Sequence, residues 1–350
     1  MATAANGAAG VHDAAIAVQA TNTGSFTAEV SSIFGGSGTY NLNMARIPGD
    51  FVVSPGDNGG PLTNGWKQTG ALDIGDLDVW SFDANAGDTL VMRMASASYN
   101  PYIRLYGPSG GLVATAGSGI SGNLDASLSV LATNAGTYNA VVSSVSGNST
   151  GSYLLNLARM PGAFFVAPGD EGGALAGGAT PNGVIDAGDM DSWQFEACRS
   201  QVVSLSCQKL SGASFSPRLR IYSRTGALLA TAVSASVATI SFSATNSGTY
   251  TAIVDGGNVN DAGTYALSGN GFSDGLNLCI PIVTNTNLEL GVVVGGPGAT
   301  FILYTSTNVA LPEASWTPIL TNQFDQFGVF DYTSSNNPAT RQQFYRLIQQ

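Results

Sequence analysis

The stretch Asp76-Leu77-Asp78-Val79-Trp80-Ser81-Phe82 recurs, with its acidic and aromatic residues in the same order, as Asp189-Met190-Asp191-Ser192-Trp193-Gln194-Phe195. The two copies lie 113 residues apart, which is about the length of one small domain. In the first copy Trp80, Phe82 and Ala84 alternate with polar residues. Because successive side chains of a strand point to opposite faces, this period of two predicts a β-strand with one buried face.

Two further signatures occur three times and extend the repeat. One is an Asn-x-Gly-Ser/Thr turn followed by an aromatic residue, and the other is a Gly-Thr/Ser-Tyr run that leads into alternating apolar residues. Short alternating runs between Gly, Asn, Asp and Ser turns are typical of antiparallel sheets, and several strands in a unit of this length predict a two-sheet β-sandwich. The repeated positions are Asn22, Asn134 and Asn246 for the first signature and Tyr40, Tyr153 and Tyr265 for the second.

The order of these elements resembles the bacterial pre-peptidase C-terminal (PPC) domain family. The resemblance is carried by the strand at 76–82, the turn Ala86-Gly87-Asp88, the strand and Gly turn at 103–110, and the strand that starts at 135–138. The second copy departs from the pattern at residues 198–201, where the turn lacks glycine. The resemblance covers about residues 12–270. It implies jelly-roll-like β-sandwiches of the kind appended to secreted proteases and surface proteins as targeting, binding or spacer modules.

The repeats predict an all-β chain of tandem antiparallel β-sandwiches with a smaller β module at the C-terminal end. Alternating residues at 301–308 and 316–319, and the ending Phe344-Tyr345-Arg346-Leu347, predict this module, which resembles a terminal segment of large exported bacterial surface proteins. The predicted domains are residues 1–47 (the closing strands of a partial sandwich), 48–160 and 161–272 (complete PPC-like sandwiches), and 273–350 (the C-terminal β module).

The first domain is predicted to be incomplete, because its opening Trp-Phe strand has no copy in the sequence. Its closing strands would leave an apolar face in water and their edges unpaired. Three explanations stay open: a processed or truncated chain, completion by strands of a neighbouring copy in a polymer, or folding back of the C-terminal module. For the second explanation the predicted subunit-interface residues are Ile16, Val18, Phe26, Val30, Tyr40 and Leu42.

Composition favours an exported protein and argues against a nucleic-acid binder. Only 10% of the residues are charged, and the formal net charge of −11 repels phosphate backbones. No apolar run approaches the ~20 residues of a membrane-spanning helix. Residues 1–11 show neither the basic nor the apolar region of a signal peptide, so we expect either a leader outside this sequence or a fragment. The expected location is the exterior or the cell surface of a bacterium.

Carboxylates cluster just before the repeated strand in both copies. Hard cations such as calcium take several oxygen ligands, and crowded carboxylates repel one another unless a cation neutralises them. The repeated loops at 55–58 and 168–171, which contain Asp57 and Asp170, could supply further oxygens. The alternative is a solvated turn in which Asp side chains cap backbone amides. The candidate calcium ligands are Asp73, Asp76, Asp78, Asp186, Asp189 and Asp191.

The sequence shows no catalytic motif. Its single histidine, His12, lies in the N-terminal tail, and neither a Gly-x-Ser-x-Gly elbow with a plausible base nor an HExxH motif occurs. The acidic residues recur in both copies, which favours an architectural role over a unique active site, so we expect no enzymatic activity. Trp80 and Trp193 recur in register with Phe82 and Phe195, and this register predicts core packing rather than carbohydrate stacking.

Three cysteines allow at most one disulfide within the chain. Cys207 aligns with Met94, and in a regular hairpin it would face a residue near 192. A Cys198–Cys207 bond is therefore disfavoured, while Cys279 could pair with either cysteine. If Cys207 is unpaired, it is expected to be a buried free thiol.

Two functional hypotheses follow from this organisation. The first is an extracellular structural or adhesive repeat protein whose main partner is itself, in a surface filament or matrix where a neighbouring subunit completes the first domain. The second is a region that anchors a secreted enzyme to polysaccharide or protein. Self-association distinguishes them, because a filament subunit should assemble without a ligand.

Overall fold

The computed structural model describes residues 2, 4, 13–117, 124–147, 149–258, 260–272, 277–279, 282–283, 287–293, 298–325, 328–335 and 342–350. Within these ranges the regular structure is β-strand, apart from a single 3-10 turn at Glu313–Ser315. None of the described residues forms a helix long and apolar enough to cross a membrane. The predicted all-β class is therefore confirmed.

The chain divides into two compact units. The first contains residues 1–159 together with two later turns, 186–190 and 258–262. The second contains residues 160–185, 191–257 and 263–350. The finer division into domains at 1–47, 48–160, 161–272 and 273–350 stays a prediction.

The first sandwich has two sheets. Its strands are β1 (Gly59–Pro61), β2 (Gln68–Leu72), β3 (Asp78–Ala84), β4 (Thr89–Ala95), β5 (Pro101–Tyr106), β6 (Leu112–Gly117), β7 (Asp125–Leu131), β8 (Gly136–Ser144) and β9 (Gly151–Met160). One sheet has the order β1-β3-β8-β5-β6, and the other has the order β2-β9-β4-β7.

The core of this sandwich is built from the apolar residues of the alternating pattern. Trp80 and Phe82 of β3 contribute from one sheet, and Leu90 and Met92 of β4 contribute from the other. All four are nearly or fully buried, and the removal of their apolar surface from water drives the packing of the sheets. Phe82 also stacks on Tyr138, with the ring centroids 5.9 Å apart. The predicted two-sheet sandwich is thus confirmed.

Strand pairing differs from a hairpin order in two respects. β3 and β4 follow one another in the chain but lie in different sheets, and β4 pairs with β7, where Met94 lies opposite Ala126. The short strand β1 runs parallel to β3. Two consecutive strands can bury their apolar faces in one core either from the same sheet or from opposite sheets. The alternating pattern alone therefore does not distinguish the two pairings.

The second sandwich repeats the first strand for strand. Its strands are β10 (Gly172–Ala174), β11 (Asn182–Ile185), β12 (Met190–Ala197), β13 (Val202–Lys209), β14 (Pro217–Tyr222), β15 (Leu228–Val233), β16 (Val237–Ser243), β17 (Gly248–Gly256) and β18 (Gly263–Asn270). The sheet orders are β10-β12-β17-β14-β15 and β11-β18-β13-β16. Cys207 is fully buried in β13 opposite Ala238 and Leu267, so the expected pairing with a residue near 192 was wrong.

Residues 13–58 form no strand in the structure. The predicted closing strands of the partial domain are therefore not formed, because a strand needs a hydrogen-bonding neighbour and an apolar surface to cover it. The six predicted interface residues are 46–70% exposed. These are Ile16, Val18, Phe26, Val30, Tyr40 and Leu42.

The C-terminal module contains two small sheets. Its strands are β19 (Asn277–Leu278), β20 (Ile282–Val283), β21 (Asn287–Val293), β22 (Thr300–Ser306), β23 (Thr317–Gln323), β24 (Phe330–Ser335) and β25 (Phe344–Gln349). One sheet has the order β19-β21-β20 with β24 paired to β21, and the other has the order β23-β22-β25. Phe301 and Phe324 are buried against each other, with Phe330 and Leu347 packed beside them. The predicted β module is confirmed.

A disulfide joins Cys198, in the turn after β12, to Cys279, which lies next to β19. It closes a loop with a sequence separation of 81 residues, and Cys207 remains a buried free thiol. Burial raises the pKa of the Cys207 thiol to about 12, so this thiol is unreactive near neutral pH. The bond ties the second sandwich to the C-terminal module.

Removal of this bond is expected to lower the free energy of unfolding of the second unit. The double variant Cys198→Ser/Cys279→Ser should lose about 2–4 kcal/mol in urea unfolding, because the unfolded chain regains the freedom of the closed loop. A thiol titration of the denatured wild-type protein should count one free thiol without reductant and three with it. Three thiols without reductant would contradict the bond.

Candidate cation site

A three-residue hydrogen-bonded network lies inside each sandwich. In the first, Trp80 Nε1 donates to Tyr153 Oη at 2.9 Å, and Tyr153 Oη donates to Asp78 Oδ2 at 2.5 Å. Trp80 and Asp78 lie in β3 and Tyr153 lies in β9 of the other sheet, so the network crosses the core. The second sandwich repeats it with matching distances of 2.9 and 2.5 Å, through Trp193, Tyr265 and Asp191.

A glycine on the neighbouring strand leaves room for each tyrosine ring. Gly70 of β2 lies opposite Tyr153, and Gly183 of β11 lies opposite Tyr265. A Cβ atom at either glycine would overlap the facing ring. Any larger residue at these positions would push the ring away and break its bond to the buried aspartate.

Three carboxylates converge at the edge of the first sandwich. Asp57, Asp76 and Asp78 each offer one oxygen, and these oxygens all lie within 4.8 Å of one another. Asp57 comes from a turn at Pro55-Gly56, where Gly56 has a φ of 88°. Asp76 ends a turn in which its N–H donates to Asp73 O at 3.2 Å, and Asp78 begins β3. Two tight turns and a strand end therefore place the oxygens together.

The electrostatics of this group favour a positive charge. Asp78 is fully buried, and burial raises the pKa of its carboxyl from 3.8 to about 7, with a further contribution from Asp76 and Asp57. Burial and the charge of Asp57 also raise the pKa of Asp76. Asp78 Oδ1 is buried and accepts no hydrogen bond. A hard cation among these oxygens would supply the missing partner and offset the repulsion.

The structure places the predicted ligands differently in the two copies. Asp76 and Asp78 lie together and Asp57 joins them, while Asp73 is exposed and lies outside the group. From the sequence, the loop that contains Asp57 is predicted only as a source of further oxygens. Its signal was the repeat of Pro-Gly-Asp at 55–57 and 168–170.

In the second copy the residues that correspond to Asp73 and Asp76 lie near a lysine. Asp186 and Asp189 belong to the first unit, where Lys67 Nζ lies 2.7 Å from Asp189 Oδ2 and 3.9 Å from Asp186 Oδ2. In the second unit Asp170 and Asp191 bring carboxylate oxygens within 4.8 Å of each other. Lys67 has no copy in the second repeat, so the repeat pattern gave no sign of this ion pair.

The first group has no such cation among the residues that the structure describes. No lysine or arginine there forms an ion pair with Asp57, Asp76 or Asp78. An open depression of about 440 Å³ borders the group and is lined in part by residues 40–43. The first copy is therefore the better candidate for a bound cation.

Other predicted residues fall where packing would put them. Trp80 and Trp193 are 5% and 6% exposed, which confirms their core role. The guanidinium of Arg159 pairs at 2.9 Å with Asp88 inside the first unit. His12 lies outside the described residues.

Comparison with known proteins identifies part of the chain. Residues 76–144 match the model of the bacterial pre-peptidase C-terminal domain family. These residues run from the acidic group through the end of β8, and the expected resemblance is thus confirmed for the first sandwich. No curated protein matches the chain.

Similar solved structures include the pre-peptidase C-terminal domain of a collagenase from Bacillus anthracis, with 19% identity and a TM-score of 0.26 over 29% of this chain and 96% of that one. The M60 catalytic domain with the CBM51-1 and CBM51-2 domains from Clostridium perfringens ZmpB has 10% identity and a TM-score of 0.19, over 59% and 34%. The β-1,2-glucanase from Parabacteroides distasonis has 11% identity and a TM-score of 0.15, over 49% and 31%. The chain thus spans less than half of the last two proteins.

The raised pKa of Asp78 predicts a pH-dependent stability in the absence of metal. The folded protein holds this proton up to about pH 7 while the unfolded chain releases it near 3.8, so the contribution is complete below pH 4 and is lost as the pH rises through 7. A shift of about 3 units corresponds to at most roughly 4 kcal/mol. Urea unfolding in EDTA between pH 4 and 8 should show this fall for the first unit.

The variant Asp78→Asn should flatten that pH profile, because its side-chain amide does not titrate. The amide oxygen still accepts the Tyr153 hydrogen bond, so the network is kept. Asp73→Asn is the matched control, since Asp73 is exposed and outside the group, and it should keep the wild-type slope. Equal slopes for the wild type and Asp78→Asn would show that another group titrates.

Proposed function

We propose that this chain, whose first sandwich is a PPC-like module, is an extracellular, non-catalytic repeat protein with a structural or adhesive role. The observation that carries the proposal is the duplication of one buried network in both sandwiches. A catalytic site needs reactive groups that face a substrate. Trp80, Tyr153 and Asp78 instead form hydrogen bonds to one another that join the two sheets. The chemistry that the repeat preserves is architectural.

The sparse charge and the disulfide support an exported location. Disulfides persist in oxidising compartments, and the Cys198–Cys279 bond fits such a compartment. In this setting the chain would act as an accessory region that spaces or anchors a larger assembly on extracellular polysaccharide or protein. The bacterial cell surface or exterior is the proposed location.

Calcium is the proposed ligand of the Asp57, Asp76 and Asp78 group. Three carboxylates from two turns and a strand end provide hard oxygen donors, and waters or carbonyls would complete the coordination that calcium requires. Calcium would also hold the turn at 55–57 against the start of β3. The proposed role of the ion is to stiffen this edge of the sandwich.

Isothermal titration should detect calcium binding to the full chain, and Asp57→Asn should weaken it by at least about tenfold, because one of three charged ligands is lost. Asp57 is exposed, so this variant should fold normally. Asp73→Asn should bind within about twofold of the wild type. Equal losses for both variants would mean that only the general negative field attracts the ion.

A second candidate is a self-assembling filament or matrix subunit. The exposed apolar residues between Ile16 and Met44 favour it, because an apolar segment of this length in water promotes association. In this case a neighbouring subunit would cover the segment. A heterologous contact of this kind that does not close into a ring would produce a fibre.

Sedimentation velocity and negative-stain microscopy of the full chain, with and without calcium, separate the two candidates. A spacer or anchor should remain monomeric and be retained on an insoluble polysaccharide or protein matrix. A filament subunit should form regular fibres, and Phe26→Asp should abolish them. Val309→Asp, a similarly exposed control in the C-terminal module, should not. Monomers that are retained on no matrix would contradict both candidates.

A further inference from the structure

Within the first unit, the turn at residues 186–190 is held by a defined set of contacts, and we call it the docked turn. Asn156 Nδ2 donates to Gly188 O at 2.8 Å, and Arg93 Nη1 donates to Asp189 O at 3.3 Å. Ala95 packs so closely on Gly188 that a Cβ atom there would overlap it. The backbone of the turn is therefore contacted by the amide of Asn156, the guanidinium of Arg93 and the small side chain of Ala95.

The arginine in this set is positioned by a buried aspartate. Arg93 of β4 and Asp125 of β7 form a multiply hydrogen-bonded ion pair in which both side chains are under 5% exposed. A buried charge needs a partner, so Asp125 keeps the guanidinium in place and aims its remaining N–H groups at the docked turn. The second sandwich has Ser206 and Val237 at these positions and lacks the pair.

Part of the same arrangement recurs 113 residues earlier, on the turn at residues 73–77. Asn43 corresponds to Asn156 and Gly75 to Gly188, and Asn43 Nδ2 donates to Gly75 O at 3.0 Å. The segment before β1 therefore holds this turn as β9 holds the docked turn, although residues 13–58 form no strand. Asn43 therefore already makes one of the contacts that the last strand of a complete sandwich, β9, makes with a turn of this kind.

The aspartate is also present, but its arginine is not. Asp13 lies 112 residues before Asp125, at the start of the same repeated segment. Its carboxylate lies 3.4 Å from a Cβ position on Gly75 and fills the space that a side chain on Gly147 would occupy. No described lysine or arginine forms an ion pair with it. Asp13 thus stands beside the turn without the cation that Asp125 has.

We propose that residues 13–47 and the turn at 73–77 form a docking surface for the opening half of a further PPC-like sandwich that carries an arginine at the position of Arg93. That arginine pairs with Asp13 and donates to the carbonyl of Asp76, as Arg93 pairs with Asp125 and donates to Asp189. The apolar residues of 13–47 then form strands and close the sandwich. This inference rests on the interpretation of 13–47 as a closing half.

A second copy of the chain is not the proposed occupant. Strands β1–β6 and β10–β15 are already paired with their own closing strands, so a second copy could supply an opening half only by unfolding one of its sandwiches. The charge of Asp13 and the contact of Asn43 select instead for an arginine-bearing opening half that has no closing strands of its own.

The test replaces residues 1–12 with a second copy of residues 48–124, which we call the graft. Leu124 of the graft is then followed by Asp13, as Leu124 of the chain is followed by Asp125. In the ungrafted chain the amides of 16–44 should exchange within seconds. In the grafted chain they should be protected by a factor of at least about 100, as in a folded sandwich. Arg93→Met made only in the graft should reduce that protection by on the order of 100-fold, because it leaves Asp13 buried and unpaired.

Two controls keep the result specific. A graft of residues 161–236, with Ser206 in place of the arginine, should protect 16–44 less than the first graft. Asp13→Asn and Arg93→Met in the graft should be non-additive, and exchange of β3 and β12 should stay slow in every variant, which shows that the other sandwiches remain folded. Equal protection by both grafts would overturn the role of the arginine. Protection of 16–44 in the ungrafted chain through fibre formation would show that a second copy is the occupant. All of these outcomes are independent of where the protein is located.

Discussion

The fold depends on a carboxylate that is buried and must be satisfied. In each sandwich an aspartate at the start of a strand accepts a hydrogen bond from a tyrosine of the opposite sheet, and that tyrosine accepts one from a tryptophan beside the aspartate. Hydrophobic packing alone would allow two sheets to slide over each other, since apolar contacts carry little direction. A polar network across the core fixes one alignment, because any shift would leave a charge without a partner.

This network also links the core to the surface. Asp78 accepts the Tyr153 hydrogen bond in the core through one oxygen, and a carboxylate oxygen of Asp78 lies within 4.8 Å of oxygens of Asp57 and Asp76. The ionisation of a single side chain therefore reports on both. In the second copy Lys67 provides positive charge next to Asp189, which corresponds to Asp76 of the first copy.

Much of the architecture could be predicted from the sequence. The spacing of the Trp-Phe and Gly-Thr-Tyr signatures gave the repeat, and the alternation around Trp80 gave the buried faces. The sequence could not show that β3 and β4 lie in different sheets, since both arrangements bury the same residues. It also could not select Asp57 over Asp73, because the turn at 55–57 folds back through space rather than along the chain. The repeat could not reveal the role of Lys67, because this residue has no counterpart in the second copy.

The bond between Cys198 and Cys279 has a consequence for a chain under tension. If force is applied to the two ends of the polypeptide, the residues between the cysteines cannot be drawn out, because the load passes directly through the sulfur atoms. A separation of 81 residues corresponds to about 270 Å of extended backbone that stays hidden from the pulling force. Even with its second sandwich unfolded, such a chain would therefore lengthen by a limited amount.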